Sequence, residues 1–302
     1  MAGVRLSGYD RKIARIAKRL RNYPVGRSSH EVTWDLIKDL DSSRGSQLFL
    51  GVFGDLALQD LLEKFGFIPA LAERGITNPK IVLGLDDPFR YIFRLFEQKA
   101  EPGSLIIELV VRRVTRYRLL PTGPEEKYRC LCLDWLLMQN PFGQYSRQKP
   151  LLPGQENPGL GLGSMVLSLF TQLARNLRLD AILTTPTNCF SALYFFERFF
   201  SLVPSVQAEL SGLRRCAHRN GLAHCAWAET YGDILDGETG EPYHWSPTEL
   251  VQLVRPDLIR LLAEDSSYFQ QAEDRHRRFS LRKGIRYDFT AEGKLVRTVQ
   301  DS

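Results

Sequence analysis

The sequence predicts an α/β (α+β) fold in which a mixed, mainly antiparallel sheet is flanked by helices. Apolar, β-branched segments bounded by turn residues follow one another between positions 80 and 139, as in a strand meander. Apolar residues at helical spacing follow between positions 163 and 199. The 302 residues are 43% hydrophobic and 25% charged, which indicates a folded globular chain and not a disordered one.

The first half of the chain is predicted to contain helices and then the meander. Helices are expected over 10–21, His30–Leu40 and Gly54–Phe65, the first of them basic and amphipathic. The apolar segments of the meander are Lys80–Leu85, Tyr91–Phe96, Leu105–Val111 and Tyr128–Gln139. Short turn-rich linkers separate these segments, so we expect antiparallel neighbours.

The second half begins with a long loop, 140–158, that is rich in Pro, Gln and Gly. A helix, a strand and a second helix are predicted next, over Met165–Leu177, Ala181–Thr185 and Ser191–Phe199. Beyond position 200 the predictions are a strand at Leu222–Thr230 and helices at Pro247–Ala263 and Ser266–Arg277. These helices predict a helical C-terminal extension.

The net charge of +5 is unevenly distributed along the chain. Residues 1–30 carry eight Lys or Arg against one Asp, a net +7, and residues 275–302 carry eight against three acids, a net +5. Residues 31–274 therefore carry −7, which suits a cationic partner. We divide the chain into a basic N-terminal arm (1–30), a core (31–235) and a C-terminal extension (236–302). Because no aromatic residues interleave the basic helix predicted over 10–21, we do not expect a nucleic-acid partner.

Cysteine usage and hydropathy predict the compartment. The five cysteines are an odd number without a disulfide-framework spacing, and this favours a reducing compartment. The N-terminus lacks the uninterrupted apolar stretch of a secretory signal, and no run of 18 apolar residues is long enough to span a bilayer. We expect a cytoplasmic protein without a membrane span; the oligomeric state is not predicted.

A glycine-rich turn, Gly159–Ser164, opens the helix predicted from Met165. Such turns expose backbone N–H groups at the positive end of a helix, where phosphates bind. A Walker loop would need Lys where Leu160 stands, and a dinucleotide fold would need an acid after Ala181–Thr185. A coenzyme A site fits better, because an extended pantetheine arm can follow a strand edge while its pyrophosphate lies at the helix start.

The region from 128 to 200 has a specific order of features: the strand Cys130–Gln139, the loop Pro158–Gly163, an amphipathic helix, Asn188 and the helical segment Ala192–Phe200. In this order they resemble the GNAT superfamily of acyl-CoA-dependent N-acyltransferases. The phrases Asp-Pro-Phe-Arg90, Gln-Asn-Pro141 and Leu-Pro-Gly-Gln155 are similar to those of a divergent bacterial branch. The resemblance implies that residues 31–235 form a GNAT-like, acyl-CoA-binding core.

The resemblance also implies an activity and a set of contacts. An acyl group, as in acetyl-CoA or another acyl-CoA, would pass to an amine of a small molecule or protein by direct attack in a ternary complex, without a metal. The implied cofactor contacts are Leu137, Met138, Gln139, Gly159, Leu160, Gly161, Leu162, Gly163, Ser164 and Asn188.

Three positions depart from the superfamily pattern. Pro158 stands where members carry Arg or Gln, so the pyrophosphate would depend on backbone amides, helped by Arg147 or Lys149. Phe196 replaces the tyrosine that protonates the leaving thiolate, and Phe200 replaces a glycine. An alternative hypothesis is therefore a catalytically inactive, GNAT-like binding or scaffold protein.

Acyl transfer to an amine needs a base, and an acid can protonate the thiolate. Asp134 and Glu108 each interrupt an apolar strand, where a carboxylate is either used or paired, and Arg112 or Arg129 are possible partners for Asp134. Tyr194 and Tyr145 are alternative acids. Because direct attack needs no enzyme nucleophile, Cys130 and Cys132 are expected to be packing residues.

Cysteine and histidine also cluster near position 220, as Cys216-Ala-His218 and His224-Cys225. This spacing matches no standard zinc module, so we predict no metal site.

Overall fold

The computed structural model describes residues 48–87, 89–274 and 277–299. The basic N-terminal arm and the helices predicted over 10–21 and 30–40 lie outside the described residues. In the described part, eight α-helices accompany ten strands. The helices are α1 (Asp55–Lys64), α2 (Phe67–Ala72), α3 (Gly163–Asn176), α4 (Cys189–Phe195), α5 (Pro204–Asn220), α6 (Leu222–Thr230), α7 (Pro256–Glu264) and α8 (Ser266–Asp274).

The strands form one large sheet and two small ones. They are β1 (Pro79–Gly84), β2 (Tyr91–Glu97), β3 (Leu105–Arg116), β4 (Tyr128–Met138), β5 (Ala181–Thr184), β6 (Ile234–Asp236), β7 (Leu250–Leu253), β8 (Phe279–Leu281), β9 (Ile285–Phe289) and β10 (Leu295–Val299). The six-stranded sheet has the order β1-β2-β3-β4-β5-β7, and β6–β8 and β9–β10 are separate pairs. The pairs β1–β2, β2–β3 and β5–β7 are antiparallel, which confirms the mixed α+β class and the mainly antiparallel sheet.

The chain divides into two compact units whose segments interleave along the sequence. Unit 1 contains the described residues up to Arg113, together with Leu133–Phe142 and Gly159–Leu177. Unit 2 contains Val114–Cys132, Gly143–Pro158 and the described residues from Arg178 onward.

Unit 1 contains β1, β2, most of β3, the second half of β4 and helix α3. In β2 the buried residues Phe93 and Leu95 flank half-buried Arg94, and in β3 buried Ile107 and Leu109 flank half-buried Glu108, as expected for a sheet with one core face and one partly open face. Helix α3 begins at Gly163 and buries Val166, Phe170 and Leu173 of the apolar stripe that predicted it, so this element is confirmed.

Unit 2 has its own core, formed by the first half of β4 together with β5, β7 and α7. Its buried members are Leu119, Leu120, Tyr128, Cys130, Ala181, Leu183, Val251, Leu253 and Leu258. Buried Asp180 joins these segments, because its carboxylate accepts a hydrogen bond from the Arg129 amide (2.6 Å) and pairs with Arg255 (3.2 Å).

Two predictions about the second half were wrong. The segment Leu222–Thr230 is helix α6 and not a strand; it contains three alanines, which are strong helix formers, and Gly221 with φ +94° precedes it. The helix predicted over 247–263 begins only at Pro256, because β7 pairs with β5 and the residue before a proline is held extended.

Several elements were not predicted. Helix α5 has Pro204 at its first turn and Gly221 just past its end, a signal that could have located it. Helix α2 contains Pro69, which the first turn of a helix tolerates. The C-terminal extension is not purely helical, because it also contains β7, β8, β9 and β10.

Gly212 on α5 allows the segment before β8 to approach the helix closely. A Cβ at this position would lie 2.5 Å from the Arg277 carbonyl oxygen and 2.9 Å from the Phe279 ring. We predict that Gly212→Ala lowers the free energy of unfolding by about 1–3 kcal/mol, because backbone and not a flexible side chain must shift. Gly103→Ala, where a Cβ meets nothing within 4 Å, is the control for urea unfolding. Equal midpoints for the two variants would contradict this packing.

Asp233 connects the β9–β10 hairpin to the rest of unit 2. Its buried carboxylate accepts hydrogen bonds from the Tyr287 hydroxyl, Arg282 Nε (3.1 Å) and Arg297 Nη2 (2.8 Å). Burial alone would raise the pKa of Asp233, but the hydrogen bonds from Tyr287 and Arg297 outweigh it and lower the pKa below the ordinary 3.8. Its stabilising effect is therefore present above the unfolded pKa and is lost as the pH falls through the folded pKa.

We predict that Asp233→Asn destabilises the protein by about 1–3 kcal/mol at pH 7, because two arginines lose their charged acceptor. The difference from wild type should shrink below about pH 4, where the Asp233 carboxyl of the unfolded chain becomes protonated before that of the folded chain. Urea unfolding between pH 3 and 7 measures this, with exposed Asp288→Asn on β9 as the control. A difference that stays constant down to pH 3 would refute the assigned role.

Candidate functional site

The long loop after β4 is closed at its base by a backbone bridge. Gln139 forms an antiparallel bridge with Gly159, and its amide also donates to the Ile106 carbonyl oxygen (2.9 Å) on β3. Gln139 Nε2 donates to the Leu105 carbonyl oxygen (3.0 Å). The glycine turn therefore lies directly beside the end of β4, although nineteen residues separate Gln139 from Gly159 in the sequence.

Within the turn, leucines face inward and glycines outward. Leu160 and Leu162 are only 2% and 3% exposed, whereas Gly159 and Gly161 are exposed. Gly161 has φ +70°, in the left-handed region that favours glycine. A Cβ at Gly159 would meet nothing within 4 Å, so the backbone here can be approached closely.

The turn leads straight into α3. The helical ladder begins with the Val166 amide donating to the Leu162 carbonyl oxygen (3.0 Å). Amides in the first turn of a helix have no acceptor inside the helix and lie at the positive end of its dipole. Gly163 and Ser164, both predicted contacts, occupy this first turn.

Arg74, which no sequence pattern indicates, lies beside the glycine turn. Its Nε donates to the Leu160 carbonyl oxygen (2.8 Å) and its Nη1 to the Ala70 carbonyl oxygen (2.7 Å). Its Nη2 lies 4.0 Å from the position that a Cβ would take at Gly161. The guanidinium is thus fixed at the turn with one edge toward the exposed glycine. Arg147 and Lys149, proposed from the sequence as phosphate contacts, belong to unit 2.

The two strand carboxylates are both paired with arginine. Glu108 lies opposite Arg94 across β2 and β3 and accepts from its Nε (2.7 Å). Asp134 accepts two hydrogen bonds from Arg112, one of them from Nη2 (2.9 Å). Glu108 and Arg112 are four residues apart on β3, so the four groups lie on one face of the sheet. The sequence left open whether Asp134 is used in catalysis or paired with an arginine such as Arg112, and the structure shows the pair with Arg112.

The remaining predicted residues have separate roles. Leu137 and Met138 are half-buried at the end of β4. Asn188, in unit 2, caps α4 by accepting a hydrogen bond from the Ser191 amide (2.9 Å), and this accounts for its side chain structurally.

Two tyrosine hydroxyls are buried without a hydrogen-bond partner among the described residues: those of Tyr145 and Tyr194, both in unit 2. Burial raises the pKa of both phenols. Such hydroxyls are uncommon because an unpaired buried hydroxyl costs stability, and functional sites are one place where that cost is retained.

Within the described parts of the chain, no group of three or more His, Cys, Asp or Glu side chains is arranged to hold a metal ion. The same parts contain no helix that is both long and apolar enough to cross a bilayer.

Comparison with known proteins assigns no family. No family model matches the chain, and no curated protein matches it. A solved structure described as a bacterial toxin aligns with 58% of this chain and 73% of its own, at 9% identity and a TM-score of 0.26. A score this low carries no argument about fold or function.

We predict that Tyr194→Phe leaves the melting temperature unchanged or raises it, because the hydroxyl removed has no partner to lose. Tyr268→Phe is the matched control: the Tyr268 hydroxyl is also buried, but it donates to the Ser201 carbonyl oxygen, so its removal should cost about 1–2 kcal/mol. Thermal unfolding of both variants measures the contrast. An equal loss in the two variants would show that the Tyr194 hydroxyl is bonded.

Proposed function

We propose that the chain binds acetyl-CoA or another acyl-CoA at the glycine turn and transfers the acyl group to an amine. The observation that carries the proposal is the alternation of buried leucines and exposed glycines between β4 and α3. This alternation fixes the turn by its side chains and leaves its backbone open to a ligand. The GNAT-like order of elements adds a resemblance in the same region.

In this proposal the pyrophosphate of the coenzyme lies at the start of α3. The amides of the first turn would donate to its oxygens, and a helix N-terminus favours an anion by about 0.3–1 kcal/mol or more. Arg74 would supply the positive charge that Pro158, at the position where superfamily members carry Arg or Gln, cannot. The half-buried side chains of Leu137 and Met138 offer apolar contact to the pantetheine arm.

In the proposed reaction, a neutral amine attacks the thioester carbonyl carbon; the new C–N bond forms and the C–S bond breaks. The amine loses a proton to a base and the thiolate leaves, protonated by an acid. Asp134 or Glu108 would act as the base only by giving up part of an arginine pair. Burial raises the pKa of the Cys130 thiol to about 12, so a covalent cysteine route is disfavoured.

The paired carboxylates also favour the second candidate function, a binding module without catalysis. Each carboxylate has an arginine partner, as in an ordinary structural ion pair. The enzyme would be favoured if the wild-type protein transfers the acyl group from acetyl-CoA to an amine and Asp134→Asn abolishes this transfer without changing the melting temperature. Binding without any turnover would favour the module.

We predict that acetyl-CoA binds the wild-type protein and that Gly161→Glu weakens this binding at least about tenfold, because a carboxylate beside the pyrophosphate repels it. Gly154→Glu is the control: Gly154 also has a positive φ, +74°, and its Cβ would meet nothing within 4 Å, but it belongs to unit 2 and not to the turn that opens α3. Isothermal titration calorimetry measures both variants. S-Acetylpantetheine, which lacks the pyrophosphate, should bind weakly and be insensitive to Gly161→Glu.

Two results would count against this site. Wild-type protein that shows no heat of binding with millimolar acetyl-CoA would refute the cofactor claim. Equal weakening by Gly154→Glu and Gly161→Glu would mean that the effect comes from backbone strain and not from the site.

A further inference from the structure

Two buried thiols meet at the corner between α5 and α6. Cys216 lies in the second-last turn of α5 and Cys225 near the start of α6, and Gly221, with φ +94°, forms the corner between them. The two sulfur atoms are 3.8 Å apart, and both residues are essentially inaccessible, at 0% and 1% exposure. Neither thiol is linked in the structure.

The surroundings activate one of the two thiols. Cys225 donates its S–H toward Cys216 Sγ, and Asn220 Nδ2 donates to the same sulfur (3.5 Å). The hydrogen bond from Cys225, helped by Asn220 and Arg219, lowers the pKa of Cys216 to about 7 although burial opposes it. The thiols of Cys130 and Cys189 are different, because burial raises the pKa of each to about 12.

We propose that Cys216 and Cys225 are a redox-active pair that forms an intramolecular disulfide on reaction with hydrogen peroxide. The thiolate of Cys216 attacks one peroxide oxygen; an S–O bond forms, the O–O bond breaks, and hydroxide leaves and is protonated to water. The sulfur of Cys225 then attacks the resulting sulfenic acid, forming the S–S bond as a second water leaves. Two thiols and one peroxide give one disulfide and two waters.

The geometry requires only a small contraction. A disulfide has its sulfurs about 2 Å apart, so the pair must close by less than about 2 Å, a distance that side-chain rotation at a helix corner can supply. Peroxide is small enough to reach the pair through local opening of the corner. Helices α4, α5 and α6 pack against one another, so the bond would restrain the helix that carries Tyr194.

The sequence makes the linkage simple to detect. Arg215 and Arg219 bracket Cys216, so trypsin separates the two cysteines onto different peptides unless a disulfide joins them. The experiment treats the reduced, folded full-length chain with hydrogen peroxide, blocks remaining thiols with N-ethylmaleimide in denaturant, and identifies the peptides by mass spectrometry. We expect the joined Cys216–Cys225 peptide in most molecules, lost after dithiothreitol treatment.

Three variants sharpen the test. Cys225→Ala should abolish the joined peptide and leave Cys216 as a sulfenic acid that dimedone traps. Cys130→Ala, a buried cysteine of unit 2 with a raised pKa, should leave the linkage unchanged. Cys189→Ala should also leave it unchanged, because the sulfur in contact with Cys216 is that of Cys225 and burial raises the pKa of Cys189 to about 12.

The wild-type result decides the proposal even if a variant fails to fold. Peroxide treatment that leaves both cysteines alkylated by N-ethylmaleimide would overturn it, as would a joined peptide that contains Cys189. A linkage that forms only in urea would also overturn it, because the pair would then not be a property of the native corner.

Discussion

The candidate site depends on one backbone bridge, between Gln139 and Gly159. Nineteen residues separate the glycine turn from β4 in the sequence, and the bridge brings the two together in space. With it, the end of β4, the turn and the start of α3 form a continuous strand–turn–helix unit. Closing a loop of this length costs only a little more than closing a short one, because the entropic cost grows with the logarithm of length. Buried Leu160 and Leu162 offset that cost.

Much of the fold could be predicted from local pattern. Strands β2, β3 and β4 follow from β-branched apolar segments between turns, and α3 follows from its apolar stripe. The segment around Val251 was mispredicted because its strand partner, β5, is distant in sequence. Leu222–Thr230 was mispredicted although its three alanines favour a helix, and that helix packs against its sequence neighbour α5.

The candidate site was partly predictable, and the missing part is again long-range. The glycine turn and the two strand carboxylates could be selected because glycine and buried charge are locally conspicuous. Arg74 could not, because it is 86 residues from Leu160 in sequence and nothing in the turn after α2, where it lies, indicates the contact. The sequence suggests two arginine partners for Asp134, Arg112 and Arg129, and only the register of the sheet decides between them.

The two ion pairs on the open face of the sheet limit what kind of amine this face can bind. Arg94, Glu108, Arg112 and Asp134 sum to zero charge, and each carboxylate already has a close cationic donor. At Asp134 an ammonium ligand would have to compete with the Arg112 guanidinium, which forms two hydrogen bonds at once, an exchange that a single charge does not favour. A neutral amine has no such conflict, since it can donate one N–H to a remaining carboxylate lone pair. If the chain is an enzyme, its acceptor must therefore arrive at this face already deprotonated, or bring its own anionic group to replace a carboxylate at an arginine.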